Sequence, residues 1–387
     1  MSLSLSHRAD AITQAEIRAM TIECDRVGGV NLAQGVCDTP PPPLVIEGAH
    51  RAMLAGTNTY TRYDGLAELR QAIAFKVKRD QGLDVDPETQ ITVSAGSTGA
   101  FYCACLSLLN PGDEVILFEP YYGYHRNTLL SVEAVPTFVS MKAPDWTFTR
   151  EDLERVVTKR TRAIMVCTPG NPSGKVFSME ELKVIADFAE AHDLFVFTDE
   201  IYEYFIYDGK KHVTPAALPG MADRTILISG YSKTFSITGW RVGYSITSPR
   251  WAQMIGYMND LVYVCSPAPL QIGVAEGIRK LPSDYYVHLA AEYKHKRDLL
   301  CGTLARIGLT PSIPSGAYYV LANVQGMGEA TSKAAAMRLL RETGVASVPG
   351  VSFFVGPDKE RFIRFCFAKQ LPELEEGCRR LQRFSAA

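Results

Sequence analysis

The chain has 387 residues, enough at roughly 150 per domain for two or three domains, or for one large domain with a smaller appendage. Hydrophobic residues make up 47% and charged residues 21%, with 30 Gly and 22 Pro, which excludes disordered and collagen-like chains. Lys+Arg 40 against Asp+Glu 42 leaves a net charge of −2, without the positive surplus of a protein that grips nucleic acid through phosphates, and no apolar run reaches the roughly 18 residues that span a bilayer.

Residues 1–14 alternate polar and apolar side chains without the hydrophobic stretch of a signal peptide, so a cytoplasmic address is expected. The nine cysteines are scattered, several in apolar segments (Cys103, Cys105, Cys167, Cys265, Cys366), without C-x-x-C or Cys/His pairs at zinc spacing; they read as reduced core residues, and no metal site is expected. The proline run 40–43 marks the passage from an N-terminal arm, 1–44, into a large domain, 45–283.

From about 89 to 243, short β-rich runs alternate with amphipathic stretches, the pattern of a mostly parallel sheet flanked by helices in an α/β domain. Strands are expected at 90–93, 114–118, 134–139, 163–167, 195–198 and 225–229, several continuously apolar as strands buried on both faces should be. A helix is expected from near Thr98, and Asn110-Pro111-Gly112-Asp113 reads as a turn. Ser178 with Glu181 has capping-box spacing, and Thr149 with Asp152 is a weaker version of it. Beyond Pro282 a polar helix (285–307), a strand (317–322), a helix (332–343) and a strand near 361–367 read as a smaller α+β domain, 284–387.

In open parallel sheets ligands lie off the carboxyl ends of the strands, so the residues that follow each apolar run carry the chemistry. Here they are polar: Gly96-Ser97-Thr98-Gly99, then Thr168 to Gly174 with Asn171, then Asp199-Glu200-Ile201-Tyr202, then Gly230-Tyr231-Ser232-Lys233, with Arg241 beyond. Lys233 is either a solvated surface lysine or, among small residues after a buried strand, an amine made nucleophilic by desolvation. Ser232 and Arg241 with Ser97 and Thr98 at a helix start make a phosphate cup, whereas G-S-T-G alone would be only a helix-capping turn. Asp199 is an N-cap or the carboxylate that keeps a heteroaromatic nitrogen protonated, with Asn171 and Tyr202 donating to a phenolate oxygen and Tyr122 either stacked on a planar ring or simply core. Arg364, in the apolar run 362–367, requires an internal carboxylate partner or a ligand that its fork can grip.

Together these pieces resemble the fold-type I, class I/II aminotransferases that use pyridoxal 5′-phosphate. The segments carrying the likeness run through most of the chain: N-L-A-Q-G from Asn31, Y-T-R-Y-D-G-L from Tyr60, A-G-S-T-G-A from Ala95, P-Y-Y from Pro120, N-P-S-G from Asn171, D-E-I-Y from Asp199, S-K-T-F-S-I-T-G-W-R-V-G from Ser232, P-S-G-A-Y-Y from Pro314 and I-R-F-C-F from Ile363. The resemblance implies Lys233 as the lysine that bonds the cofactor and moves the substrate proton, Asp199 on the pyridine nitrogen, Asn171 and Tyr202 on the ring hydroxyl, and Tyr122 stacked on the ring. It implies Ser97, Thr98, Ser232 and Arg241 on the phosphate, with Tyr60 reaching in from a neighbouring subunit of a homodimer. Arg364 and Asn171 would grip the substrate α-carboxylate, with the backbone at Gly35 closing over it.

The chain departs from the pattern at Gly230, where many relatives carry a phosphate-binding Ser, and at Gly35-Val36-Cys37-Asp38, where they commonly read G-F-P-D. The expected reaction is ping-pong transfer of an amino group from an L-amino acid to a 2-oxo acid. The surroundings, with Tyr60, Tyr63, Tyr121, Tyr122 and Tyr124, look closest to the kynurenine and broad neutral or aromatic branch. Alternatives on the same site are a C–S β-lyase, an aminocyclopropane-carboxylate synthase-like enzyme and an aspartate-type aminotransferase, for which Arg62 or Arg126 would read a distal carboxylate.

Overall fold

The computed structural model describes residues 3–12 and 16–384; Met1, Ser2, Thr13 and Gln14, part of the leader expectation above, lie outside them. Its centre is a seven-stranded sheet. The strands are β1 (Ile91–Ala95), β2 (Glu114–Glu119), β3 (Val135–Ser140), β4 (Thr161–Cys167), β5 (Phe195–Asp199), β6 (Thr225–Gly230) and β7 (Val242–Ile246). Their spatial order is β1-β7-β6-β5-β4-β2-β3. The pairs from β3 across to β6 are parallel, as a mostly parallel sheet requires, while β7, which is not among the expected strands, runs antiparallel to both its neighbours and lets the short link through Arg241 return the chain beside β6. Strands β2, β5, β6 and β7 are buried at every position, as continuously apolar runs covered on both faces require.

The helices on this sheet start where local chemistry sets them. Both capping boxes are present, Ser178 with Glu181 and Thr149 with Asp152, so the second is as complete as the first. The helix Met179–Ala191 then buries Leu182, Ile185, Ala186, Phe188 and Ala189. Pro43 opens the helix Pro43–Leu54, where its missing N–H costs nothing. The helix after β1 begins at Gly96 rather than near Thr98, bringing both hydroxyl residues into its first turn.

A second, four-stranded antiparallel sheet has the order β10-β11-β9-β8, with β8 (Thr310–Ser312), β9 (Tyr319–Asn323), β10 (Val348–Pro349) and β11 (Phe362–Cys366). The expected strand at 317 starts two residues later, because Ala317 sits at φ 55°, outside strand geometry. Helix Ser332–Thr343 has the expected limits, capped by the Thr331 side chain and by left-handed Gly344. The long helix Ser283–Arg306 precedes this sheet. No disulfide forms among the described residues; Cys167 and Cys265 are half-buried rather than core. No described helix is long and apolar enough to cross a membrane.

Candidate active site

The carboxyl ends of β1, β2, β4, β5 and β6 and the link into β7 converge on a cavity of about 280 Å³. Ser97, Thr98, Tyr122, Asn171, Asp199, Tyr202, Ser232, Lys233 and Arg241 all line it. Nine residues singled out from five separate segments therefore line one cavity. His125 and Thr238 line it as well and escaped the sequence reading.

At one end lies an anion cradle. The helix Gly96–Leu108 points its unpaired N–H groups there, beside the hydroxyls of Ser97, Thr98, Ser232 and Thr238. Arg241, in the left-handed region at φ 55°, is anchored by donating to the carbonyls of Thr238 (2.9 Å) and Ala95 (3.3 Å). Glycines make this approach possible. A Cβ on Gly96 would stand 2.3 Å from the Arg241 guanidinium, and one on Gly243 in β7 would stand 2.5 Å from the Ser97 nitrogen. Gly230 is explained the same way: its Cβ would lie 2.9 Å from the Gly243 Cα, so the departure from Ser goes with backbone packed where a side chain would begin.

At the other end, Asp199 closes β5 and is 6% exposed; its Oδ1 accepts from the Ile201 N–H (3.3 Å) and its Oδ2 lies 2.9 Å from His125 Nε2. The segment after it is a turn rather than a helix, so Asp199 is not a helix N-cap. His125 lies three residues beyond Tyr122 in the helix Gly123–Ser131, and the Tyr122 ring meets it edge-on at 5.2 Å while stacking on Tyr124. Tyr202 shares a hydrogen bond of 3.1 Å with Tyr319, and burial raises both phenols above the ordinary tyrosine value, which keeps them protonated donors.

Lys233 is half-buried and reaches the Gly35 carbonyl at 3.4 Å. Desolvation lowers its amine below the ordinary lysine value, and no carboxylate pairs with it among the described residues. A Cβ on Gly35 would meet the Tyr319 hydroxyl at 2.0 Å, so a side chain there would have to displace that ring. In the departing segment, the Cys37 thiol turns inward to the Lys233 carbonyl (3.7 Å) and Asp38 pairs with Lys369 (2.7 Å).

Arg364, in the middle of β11, is 1% exposed. Its guanidinium donates to Asn171 Oδ1 (3.0 Å) and to the Ala33 carbonyl (2.7 Å) and lies near the rings of Tyr319 (4.4 Å) and Phe353 (4.8 Å). No carboxylate pairs with it among the described residues, and its Nε is buried without a partner, so the internal salt bridge is not what occupies it. Tyr60 is 82% exposed and does not line this cavity. Of the other tyrosines considered, Tyr124 lines it, Tyr121 packs on Phe138 and Tyr63 on Tyr257. Arg62 is bound to Asp64 and Glu88, and Arg126 donates to Asn127 (3.3 Å).

Compared with known proteins, residues 27–381 match the family "Aminotransferase class I and II". The chain is 32% identical over 386 residues to aromatic-amino-acid aminotransferase 2 of Thermococcus litoralis, covering 98% of each chain. It is 34% identical over 371 residues to kynurenine–oxoglutarate transaminase 3 of Rattus norvegicus, covering 88% of this chain and 82% of that one. The solved structure of N-succinyldiaminopimelate aminotransferase from Mycobacterium tuberculosis superposes with a TM-score of 0.94 at 32% identity, covering 98% of this chain and 99% of that one.

Proposed function

This chain belongs to the class I and II aminotransferase family, whose members depend on pyridoxal 5′-phosphate, and we propose that it passes the amino group of a neutral or aromatic L-amino acid to a 2-oxo acid at the cavity around Lys233. The observation that carries the proposal is the placement of a desolvated amine, a buried carboxylate and an anion cradle around one cavity, with a buried guanidinium beside Asn171 that no carboxylate pairs among the described residues.

The residues fit the cofactor. Ser97, Thr98, Ser232 and Arg241 offer hydroxyl, backbone and guanidinium donors to its phosphate, and the orphaned Arg364 Nε leaves a donor free for a carboxylate. When bound, pyridoxal 5′-phosphate supplies an aldehyde that condenses with amines and a protonated ring that withdraws electrons from the carbon bearing nitrogen. The protein does the rest. Asp199, steadied by His125, would accept the hydrogen bond of the ring nitrogen, Asn171 and Tyr202 would donate to the ring oxygen, and Tyr122 would stack on the ring. Arg364 and Asn171 hold the donor's α-carboxylate, with the Gly35 backbone over it, and Lys233 Nζ takes the proton from the α-carbon. Tyr60, exposed on its own chain, reaches the phosphate of a second copy in a homodimer.

Engagement of Arg62 by Asp64 and Glu88 and the tyrosines Tyr122 and Tyr124 on the cavity favour a neutral or aromatic side chain over a second carboxylate. The experiment is a panel of amino donors against 2-oxoglutarate and pyruvate. Aromatic and neutral donors are expected to exceed aspartate by about tenfold or more in kcat/KM. A preference for aspartate overturns the specificity, and elimination without stoichiometric pyridoxamine phosphate overturns the reaction.

A further inference from the structure

We propose that Glu119 is a positioning residue, whose carboxylate latches the strap 350–356 to the end of β2 and thereby sets the grip of Arg364 on a substrate carboxylate. The inference rests on the role given to Arg364 above.

Glu119 is the last residue of β2, 2% exposed, and no Lys, Arg or His pairs with it among the described residues. A buried carboxylate without a cation needs donors, and here they come from two directions. Its Oε1 accepts the N–H groups of Val355 and Gly356, the latter at 3.3 Å, while its Oε2 accepts the Ser140 hydroxyl at the end of β3 (2.8 Å). One side chain therefore ties the edge of the large sheet to a strap that follows directly after β10 of the small sheet. Two residues on, the Tyr121 N–H donates to the Phe353 carbonyl at 2.9 Å, a second stitch at the same seam.

The strap begins at a fixed point, because Gly350 packs so closely that a Cβ would stand 2.4 Å from the Lys359 carbonyl and 2.6 Å from that of Phe362. Between that point and the latch lies Phe353, 1% exposed, its ring 4.8 Å from the Arg364 guanidinium. The other side of the seam leads through Pro120 and Tyr121 to Tyr122 on the cavity wall. Releasing the latch therefore leaves Phe353, one of the two rings beside Arg364, held at this seam by the Tyr121 bond alone, while Lys233, Asp199 and the anion cradle stay on their own strands.

The test compares Glu119→Ala with Glu119→Gln in the cofactor-loaded enzyme. Glutamine keeps a carbonyl oxygen for Val355 and Gly356 and turns its amide to the Ser140 hydroxyl, which can accept. In the alanine variant, hydrogen exchange at Val355 and Gly356 is expected to quicken by about tenfold or more and KM for the amino donor to rise by about tenfold, with kcat within about threefold and the bound-cofactor spectrum unchanged. The glutamine variant is expected to stay within about threefold of the parent in every readout. Unchanged exchange in the alanine variant refutes the latch whatever Arg364 does, and faster exchange with unchanged KM refutes its influence on the site. Loss of kcat, KM and cofactor binding together makes Glu119 a folding residue only, which also overturns the proposal. Should the alanine variant not fold, Ser140→Ala, which removes one donor, is expected to move exchange and KM by about threefold, and no movement refutes the latch. Arg364→Ala with unchanged KM would defeat the carboxylate reading instead, leaving the exchange result to judge the latch separately.

Discussion

At Lys233 the sequence provides an amine and the surrounding fold removes most of its water, which is the cause of its lowered pKa. That shift has a measurable thermodynamic side. The native state gives up this proton at a lower pH than the unfolded chain, so stability rises with pH between the lowered native value and about 10.4, the unfolded one. Lys233→Met in cofactor-free protein is therefore expected to resist denaturant better than the parent at low pH, an advantage that shrinks as pH rises from the lowered native value toward about 10.4 and levels off above it. An advantage that stays constant or widens across that range would mean the amine is not desolvated. Arg364 gives the complementary case, because it is buried without a carboxylate partner among the described residues and its remaining needs are those of a ligand. Arg364→Ala is expected to raise KM for the amino donor by about a hundredfold, within the ~2–5 kcal/mol that truncating one partner of a buried charge pair costs, and steady-state kinetics reads it. Both residues stood out in the sequence, Lys233 because it follows a buried strand among small residues and Arg364 because it interrupts an apolar run. His125 did not: its link to Asp199 joins two segments 74 positions apart, and the only local sign was its place three residues beyond Tyr122.

Among the elements, the cradle depends on backbone packed against backbone. Gly243→Ala puts a methyl group 2.4 Å from the Gly96 carbonyl carbon, which the first turn of the helix Gly96–Leu108 can relieve only by moving away. Cofactor affinity is expected to fall by about tenfold or more while the far-ultraviolet circular dichroism is kept; titration of the cofactor-free protein checks it. Ser178→Ala, at a complete capping box that does not line the cavity, should cost about 1 kcal/mol and a few degrees of Tm without changing turnover. Such boxes and the apolar strands were legible because their signals are local. The antiparallel direction of β7 was not, since direction depends on how the chain returns beside β6 rather than on which residues alternate. The glycine contacts were hidden for the same reason: Gly230, Gly243 and Gly96 meet only after three segments assemble.

For the whole molecule, the fold class was readable because buried strands and amphipathic helices alternate in order along the chain. The tie between the two sheets was not, because Glu119 looks in sequence like any polar strand end. The proposed homodimer belongs at this scale. Met254, Tyr257, Leu261 and Val262 lie exposed on the helix Pro249–Tyr263, and the phosphate contact proposed for exposed Tyr60 would require a second copy. Sedimentation should find a dimer, and Leu261→Asp is expected to shift it toward monomer and weaken cofactor binding together; a monomeric parent with full activity contradicts the shared site. The account depends most on the covalent role of a single lysine. The purified chain should be loaded with pyridoxal 5′-phosphate, reduced with borohydride and mapped by peptide mass spectrometry. A single pyridoxyl group on Lys233, absent when an amino donor is added before reduction, is the predicted result; a label on another lysine, or none, contradicts it.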